Sequence, residues 1–213
     1  SAYVMVVRMP RAMSADEPQL FSADGLRESL SGCRQLFCDL QERRPEHESV
    51  LGSLLQTACE MLPSFASKTA HMRYLPKGAL PSEMLALAAA VRLFNATHYI
   101  ESGTAHGQST ETMARFAAGT PLRIISIDNN RLYGLYNVTL ARLAKYSNVR
   151  LVLDDSTRLL PRLLRGLPSH SRAIVMVDGP KATAGLTLAM QALIGHARAV
   201  PAGGISAAAV GRR

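Results

Sequence analysis

Hydrophobic positions recur with two different spacings along the chain, and the two spacings alternate from residue 98 to residue 196. Short apolar runs, typical of buried strands, are each followed by a stretch in which apolar residues return every three or four positions, as on one face of an amphipathic helix. The predicted strands cover residues 98–101, 123–128, 148–153 and 173–177. This alternation favours an α/β fold with a doubly wound, mainly parallel sheet that binds its ligand at the carboxyl ends of the strands.

Helices are predicted both between these strands and ahead of them. Those of the strand region cover residues 82–94, 109–118, 132–146, 158–165 and 182–196. Two more are predicted at residues 24–44 and 47–62, followed by a linker rich in Ser, Lys and Pro at 63–81. We therefore expect a mostly helical extension at 1–79, an α/β domain at 80–202 and a small-residue tail at 203–213.

The stretch 98–118 predicts a strand, a glycine loop and a helix in direct succession. An apolar run ends at Glu101, and Gly103 and Gly107 follow, which is typical of a strand that breaks into a tight turn. Ser109 is expected to cap the helix. Because backbone N–H groups point outward at the start of a helix, this arrangement predicts a ligand site.

The composition of the loop argues against two common phosphate-binding motifs. A P-loop requires GxxxxGK[ST], but residue 108 is Gln and the loop has no lysine. A dinucleotide loop requires GxGxxG, and Ala105 stands at one of those glycine positions. A carboxylate from Glu101 at the mouth of the loop would repel a pyrophosphate and attract a cation.

The sequence ESGTAHGQST at residues 101–110 resembles the first motif of class I methyltransferases, in the E-x-G-T-x-x-G-x-S-T form of the catechol O-methyltransferase-like members. Ala105 departs from the middle glycine that many members of the wider class have. Three later stretches resemble the family's next motifs in the same order: RIISIDNN at 123–130, NVRLVLDDS at 148–156 and AIVMVDGPK at 173–181. Four motifs in order imply a Rossmann-like methyltransferase domain.

The resemblance implies S-adenosyl-L-methionine as the cofactor, a compound that carries an ammonium and a sulfonium but no phosphate. In the family pattern, Glu101 would hold its amino-acid end, Asp128 its ribose hydroxyls, and Asp155 with Ser156 would border its adenine. The implied cofactor-binding residues are Glu101, Gly103, Thr104, Gly107, Ser109, Asp128, Asn129, Asp155 and Ser156.

Three residues are candidates for the chemistry. Asp178 ends the fourth predicted strand, where the family's acid faces the substrate, and Lys181 just after it is a candidate to neutralise that acid or contact an acceptor. His106, in the loop, is a candidate base or substrate-orienting group. For His106 and Lys181 the alternative is an ordinary solvated side chain. The metal-binding members use an Asp-Asn pair after the fifth strand, and since this sequence lacks it, no metal is predicted.

The last part of the sequence departs from the family pattern. Residues 197–202 are a candidate fifth strand, but the small-residue tail leaves no room for the sixth and seventh strands. An open sheet edge exposes unpaired N–H and C=O groups, which folded proteins cover. The run YVMVV at residues 3–7, the helices within 24–62 and a protein partner are the candidates to cover it.

The net charge of +8 lies wholly in the second part of the chain, because residues 1–97 hold ten Lys/Arg and ten Asp/Glu while 98–213 hold fourteen and six. Five of those six acids lie at strand ends, which favours a cationic ligand, although acids are common in such loops. A candidate basic patch for RNA, with no aromatic residues interleaved for base stacking, comprises Arg142, Lys145, Arg150, Arg158, Arg162, Arg165 and Arg172.

Two further features bear on the compartment. Cys33, Cys38 and Cys59 are odd in number and not placed among histidines, so we expect reduced thiols rather than disulfides or a zinc site. No apolar run reaches the roughly 18 residues of a membrane span. We expect a soluble cytoplasmic protein, or an organelle-matrix protein if a targeting segment preceded Ser1.

Two functional hypotheses follow. The first is an enzyme that transfers a methyl group from S-adenosyl-L-methionine to a small or macromolecular acceptor, which the motifs do not identify. The alternative is a methyltransferase-like fold retained as a non-catalytic subunit of a larger, RNA-containing assembly. The shortened sheet, the helical extension and the basic second part of the chain motivate this alternative.

Overall fold

The computed structural model describes residues 4–8, 50–72, 79, 81–129, 135–179, 182–197 and 209–210. The predicted helix at 24–44, residues 198–202 of the candidate fifth strand, and Lys181 lie outside the described residues. In chain order the elements are β1 (Val4–Arg8), α1 (Val50–Thr69), α2 (Pro81–Leu93), β2 (His98–Ser102), α3 (Gln108–Phe116), β3 (Arg123–Asp128), α4 (Leu135–Leu143), β4 (Val149–Leu153), α5 (Ser156–Gly166), β5 (Ala173–Val177), α6 (Ala182–Ala197) and β6 (Ala209–Val210).

The strands form one sheet in the order β4-β3-β2-β5-β1-β6, and every neighbouring pair is parallel. Relative to the usual doubly wound order 3-2-1-4-5-6, β2 to β5 occupy the first four places. The fifth place belongs to β1, which pairs with β5 from Val4 beside Ala173 to Arg8 beside Val177. The protein therefore has a Rossmann-like α/β fold, and the N-terminal apolar run joins the sheet as expected. It takes the fifth place itself rather than covering a fifth strand at 197–202, and Ala197 belongs to α6. The expectation that the tail leaves no room for a sixth strand is wrong, because β6 pairs with β1 at Val6 and Val7.

Helices cover both faces of the sheet, as a doubly wound fold requires. On one face Tyr99, Ile124 and Met176 pack in a core with Phe65 of α1 and Met84 of α2. Because side chains alternate along a strand, the neighbouring positions point to the opposite face and its helices. There the core includes Ile100, Ile127, Val175, Leu160 of α5 and Leu188 of α6. β2 and β5 are buried along their whole lengths, which is typical of central parallel strands.

The predicted linker at 63–81 is wrong over its first seven positions, because α1 continues through Pro63 to Thr69. Proline inside a helix removes one backbone donor, and this cost is offset by packing on both sides of it. Met61 is fully buried, and Phe65 and Ala66 are nearly so. Met61 and Phe65 share one core with residues of α2, and the ring centroids of Phe65 and Phe116 of α3 are 6.1 Å apart, so tertiary packing rather than local propensity carries the helix past Pro63.

Two helix starts also differ from expectation. The residue that caps α3 is Gly107 with a left-handed φ of 72°, not Ser109, whose hydroxyl is used elsewhere. α5 begins at Ser156 rather than near Arg158, because the Asp155 side chain accepts a hydrogen bond from the Thr157 N–H and caps the helix. Among the described residues, no helix is long and apolar enough to cross a membrane.

Candidate functional site

The strand order reverses between β2 and β5, so the crevice above their carboxyl ends is the expected place for a ligand in a doubly wound sheet. The loops that leave the two strands touch there. The N–H groups of Asp178 and Gly179 both donate to the Ser102 carbonyl at 2.9 Å. A Cβ on Gly103, which has φ 100°, would lie only 2.7 Å from the Gly179 nitrogen. Gly103 is therefore required both by its backbone conformation and by this close approach.

The glycine loop, residues 103–107, is fixed from the outside by α4. The Thr139 hydroxyl donates to the Ala105 carbonyl at 2.7 Å, and the Arg142 guanidinium donates to the His106 carbonyl at 2.9 Å. Ala105 has a φ of 45°, which is unusual for a residue with a Cβ. With their carbonyls held by α4, Ala105 and His106 themselves remain exposed.

Asp128 joins the loop to the end of β3. Its half-buried carboxylate accepts a 2.7 Å hydrogen bond from the Ala105 N–H through one oxygen, Oδ2. Asn129 follows it and is exposed. The structure thus brings the predicted acid and the predicted glycine loop into direct contact at the edge of the crevice.

Glu101 is not at the mouth of the loop, and that part of the prediction is wrong. Its side chain is fully buried, with 0% of the residue exposed. Its carboxylate accepts hydrogen bonds from the hydroxyls of Ser109, Thr110 and Ser126, the last two at 2.5 Å and 3.5 Å. The physical reason is that α3 starts directly over the end of β2, so hydroxyls of its first turn reach the carboxylate and replace water.

Burial raises the pKa of Glu101 to about 7, because a charged carboxylate loses its hydration there. Hydrogen bonds from Ser109 and Thr110 act in the opposite direction, and the negative charge of Asp178 adds to the rise. Near neutral pH this carboxyl group is therefore divided between its two protonation states. Perturbed groups of this kind are concentrated at functional sites.

The residues after β4 lie beside the β3 end of the site. The Asp154 N–H donates to the Asp128 carbonyl at 3.0 Å. The exposed Asp155 carboxylate accepts from the Thr157 hydroxyl and N–H, which lower its pKa. Ser156 is half-buried. Asp155 thus has a structural role as a helix cap, and its contact with an adenine stays a prediction.

The candidates for the chemistry are only partly brought together. Asp178 is half-buried directly after β5, on the side of the crevice where Gly179 meets Gly103. His106 lies exposed in the loop. Within the described ranges no group of three or more His, Cys, Asp or Glu side chains is placed to hold a metal ion.

Two clusters were missed by the sequence analysis. We call Glu101 with the hydroxyls of Thr104, Ser109, Thr110 and Ser126 the Glu101 cluster. A sequence signal existed in the run of hydroxyl residues after Gly107, but Ser126 reaches the cluster only through the pairing of β2 with β3. The second is the Glu111 cluster.

The Glu111 cluster consists of the Glu111 carboxylate with Arg115, Arg142, Lys145 and Tyr146. Burial acts to raise the pKa of Glu111, but hydrogen bonds from Lys145, Tyr146 and Arg115 outweigh it and lower the pKa. Two cations of the predicted RNA patch are therefore paired with this carboxylate. Arg158, Arg162 and Arg165 are exposed on α5, and RNA binding stays a prediction.

No protein-family model and no curated protein matches the chain in sequence. Among solved structures, it is similar to a protein assigned as a caffeoyl-CoA O-methyltransferase from Staphylococcus aureus, with a TM-score of 0.41 and 16% identity over 74% of this chain; the chain spans 66% of that protein's length. It is also similar to a protein assigned as an O-methyltransferase from Klebsiella pneumoniae, with a TM-score of 0.37 and 16% identity over 75% of this chain and 83% of the other.

Proposed function

We propose that the protein is an S-adenosyl-L-methionine-dependent methyltransferase. The observation that carries the proposal is the Asp128 carboxylate, held against the glycine loop at 2.7 Å from the Ala105 N–H. An acid at the end of the second strand of such a domain is suited to the two hydroxyls of a ribose. The loop has neither the lysine of a P-loop nor, at Ala105, the second glycine of a dinucleotide loop, so the same edge is poorly suited to a pyrophosphate.

The residues at the crevice fit a nucleoside ligand. Gly103 and Gly107 bring backbone close to the crevice without side chains, and the loop is followed at once by the N-terminus of α3. In this proposal the loop backbone, including Thr104, supports the ligand and Asp128 with Asn129 holds the ribose. Asp155 and Ser156 border the adenine, and Ser109 bounds the amino-acid end.

When bound, S-adenosyl-L-methionine supplies an electrophilic methyl group. The chain's contribution is then mainly to hold the donor and an acceptor in line, for which few reactive side chains are required. Asp178, on the β5 side of the crevice, is proposed to face the acceptor and take up its proton. Lys181 and His106 are proposed to orient the acceptor, whose chemical class the motifs leave open.

The strand β1 supports an enzyme rather than a subunit that needs a partner. β1 pairs with β5 over five positions, so the chain itself provides the strand beside the β5 edge. The outer edge of β1 is in turn paired from within the chain, by β6 at Val6 and Val7, and this favours a protein that needs no partner there. The hypothesis of a non-catalytic, RNA-containing assembly gains no such support from the contacts described above.

Calorimetric titration of S-adenosyl-L-methionine into the Asp128→Ala variant tests this proposal. The substitution removes hydrogen bonds to a charged acceptor, each worth about 1.5–3 kcal/mol, so affinity should fall at least about tenfold. Asp154→Ala is the matched control, because that carboxylate is exposed and accepts only from the neighbouring Asp155 N–H among the hydrogen bonds described. Equal affinity of the wild type and Asp128→Ala would refute the assignment.

A further inference from the structure

The Glu101 cluster ties three elements of the site together. The carboxylate belongs to the end of β2, Ser109 and Thr110 lie in the first turn of α3, and Ser126 lies on β3. A second layer extends the cluster into the loop itself. The Thr104 hydroxyl lies 2.6 Å from the Ser126 hydroxyl, which in turn lies 3.0 Å from the Thr110 hydroxyl.

These contacts fix the two ends of the glycine loop relative to each other. Thr104 lies near its start and Ser109 just beyond its end, and both are connected to the Glu101 carboxylate within the interior. An ionised carboxylate only accepts hydrogen bonds, so the surrounding hydroxyls must donate toward it. When the carboxyl group is protonated it becomes a donor, and at least one hydroxyl must turn away from it.

We propose that Glu101 is a positioning residue that sets the shape of the loop through these hydroxyls, and that its ionised form favours ligand binding without touching the ligand. This inference rests on the proposed function for the identity of the ligand. It departs from the expectation that Glu101 holds the amino-acid end, because the side chain is 0% exposed and both oxygens already accept hydrogen bonds.

The electrostatic surroundings of Glu101 give the proposal a pH dependence. Among the described residues, two titratable groups interact with it: Asp178, from the loop after β5, and the buried Tyr99 of β2, whose hydroxyl donates to the Met176 sulfur at 3.0 Å. Burial, then Glu101 and Asp178, raise the pKa of Tyr99 well above its usual range, so it stays neutral. Since the pKa of Glu101 is about 7, ligand affinity should fall as the pH is lowered through neutrality.

The test compares two ligands on the isosteric variant Glu101→Gln at pH 8. 5′-Methylthioadenosine has the nucleoside of S-adenosyl-L-methionine but lacks its amino-acid end and its charges. A positioning residue should weaken both ligands by the same factor, about fivefold for the loss of one net hydrogen bond. The affinity of the wild type for 5′-methylthioadenosine should fall about threefold from pH 8 to pH 6 as Glu101 takes up a proton, and Glu101→Gln should show no such change.

Thr110→Val and Glu60→Gln complete the set. Thr110→Val removes a hydroxyl of the cluster, so it should weaken 5′-methylthioadenosine to a similar extent, and its effect should not add to that of Glu101→Gln. Glu60 is an exposed carboxylate on α1, and Glu60→Gln should bind like the wild type. Loss of affinity for S-adenosyl-L-methionine alone in Glu101→Gln would overturn the proposal in favour of direct contact.

Hydrogen exchange on the ligand-free protein separates this proposal from the proposed function. The Ala105 N–H donates to the Asp128 carboxylate and the Gly107 N–H donates to the Thr104 carbonyl, both at 2.7 Å, so they report on the shape of the loop. Glu101→Gln should accelerate their exchange about fivefold without affecting the centre of α3. If neither nucleoside binds the wild type, the proposed function fails, and unchanged exchange in Glu101→Gln would then refute the positioning role as well.

Discussion

Two buried glutamates, Glu101 and Glu111, lie ten positions apart and have opposite surroundings. Glu101 is 0% exposed and is surrounded by hydroxyl groups, and its pKa is raised to about 7. Glu111 is 6% exposed and is contacted by Arg115, Arg142 and Lys145, and its pKa is lowered. Burial acts to raise both pKa values. It outweighs the hydrogen bonds from hydroxyls at Glu101, whereas hydrogen bonds from Lys145, Tyr146 and Arg115 outweigh it at Glu111.

The different surroundings indicate different roles: Glu101 belongs to the candidate site, and Glu111 has a structural role. Three cations and a tyrosine keep Glu111 ionised, and its role is to hold α4 against α3. Arg142 serves both the Glu111 cluster and the candidate site. It pairs with Glu111 and also donates to the His106 carbonyl, which holds the glycine loop in place. Neutral hydroxyls leave Glu101 poised between two states at the base of the same loop. Above neutral pH the contribution of Glu101 to the free energy of unfolding is lost, which is consistent with a role in ligand binding.

The largest expected effect is on the pH dependence of stability, and it has opposite signs for the two residues. The folded state holds the Glu101 proton up to about pH 7, whereas the unfolded state releases it near 4.5. The stabilising contribution of Glu101 is therefore full below pH 4.5 and is lost as the pH rises to about 7, by about 3 kcal/mol. Urea unfolding of the wild type and Glu101→Gln from pH 4 to pH 8 measures this difference.

Two other titratable residues, His98 and Glu111, do not obscure the contribution of Glu101 in that measurement. The pKa of His98 is lowered by burial and then by Arg123 and His170, but this residue is present in both proteins and cancels from the difference. The pKa of Glu111 is lowered, so its contribution is present above pH 4.5 and is lost only at lower pH. A Glu101→Gln profile parallel to that of the wild type would show that Glu101 does not titrate near neutrality.

A smaller effect is expected from Gly103→Ala, which tests the backbone contact above the Glu101 cluster. The new Cβ must adopt a left-handed φ and would lie 2.7 Å from the Gly179 nitrogen, so we expect a loss of about 2 kcal/mol or more in the free energy of unfolding. Gly119→Ala is the matched control, because its φ is 79° with nothing within 4 Å of the added Cβ, and it should lose only about 1 kcal/mol. Equal losses in urea unfolding would indicate that the close approach is unimportant.

Much of the sheet could be predicted from the sequence, because buried parallel strands are continuous apolar runs. The strand predicted at residues 173–177 has the observed bounds of β5. The run YVMVV is predicted as a candidate for an empty place in the sheet, and it lies beside β5. The course of α1 beyond Pro63 could not be predicted, since it depends on the burial of Phe65 and Ala66 against another helix. Local composition there favoured a linker.

The site was predictable in its positions but not in its contacts. The loop and Asp128 were located from motifs at strand ends, and the structure brings them together. The burial of Glu101 was missed, because the sequence does not reveal that Ser109, Thr110 and Ser126 converge on one carboxylate from two other elements. Such convergence is set by the start of α3 and the register of β2 against β3.

The most direct test of the central claim is a pair of calorimetric titrations of the wild type at pH 8, where Glu101 is mostly ionised. One uses S-adenosyl-L-methionine and the other NAD, which is also a nucleoside ligand but carries a pyrophosphate. We predict saturable binding of S-adenosyl-L-methionine and none of NAD, because Ala105 stands where the dinucleotide motif GxGxxG has the glycine that lets the backbone approach the pyrophosphate. Binding of NAD, or no binding of S-adenosyl-L-methionine at millimolar concentration, would contradict the claim.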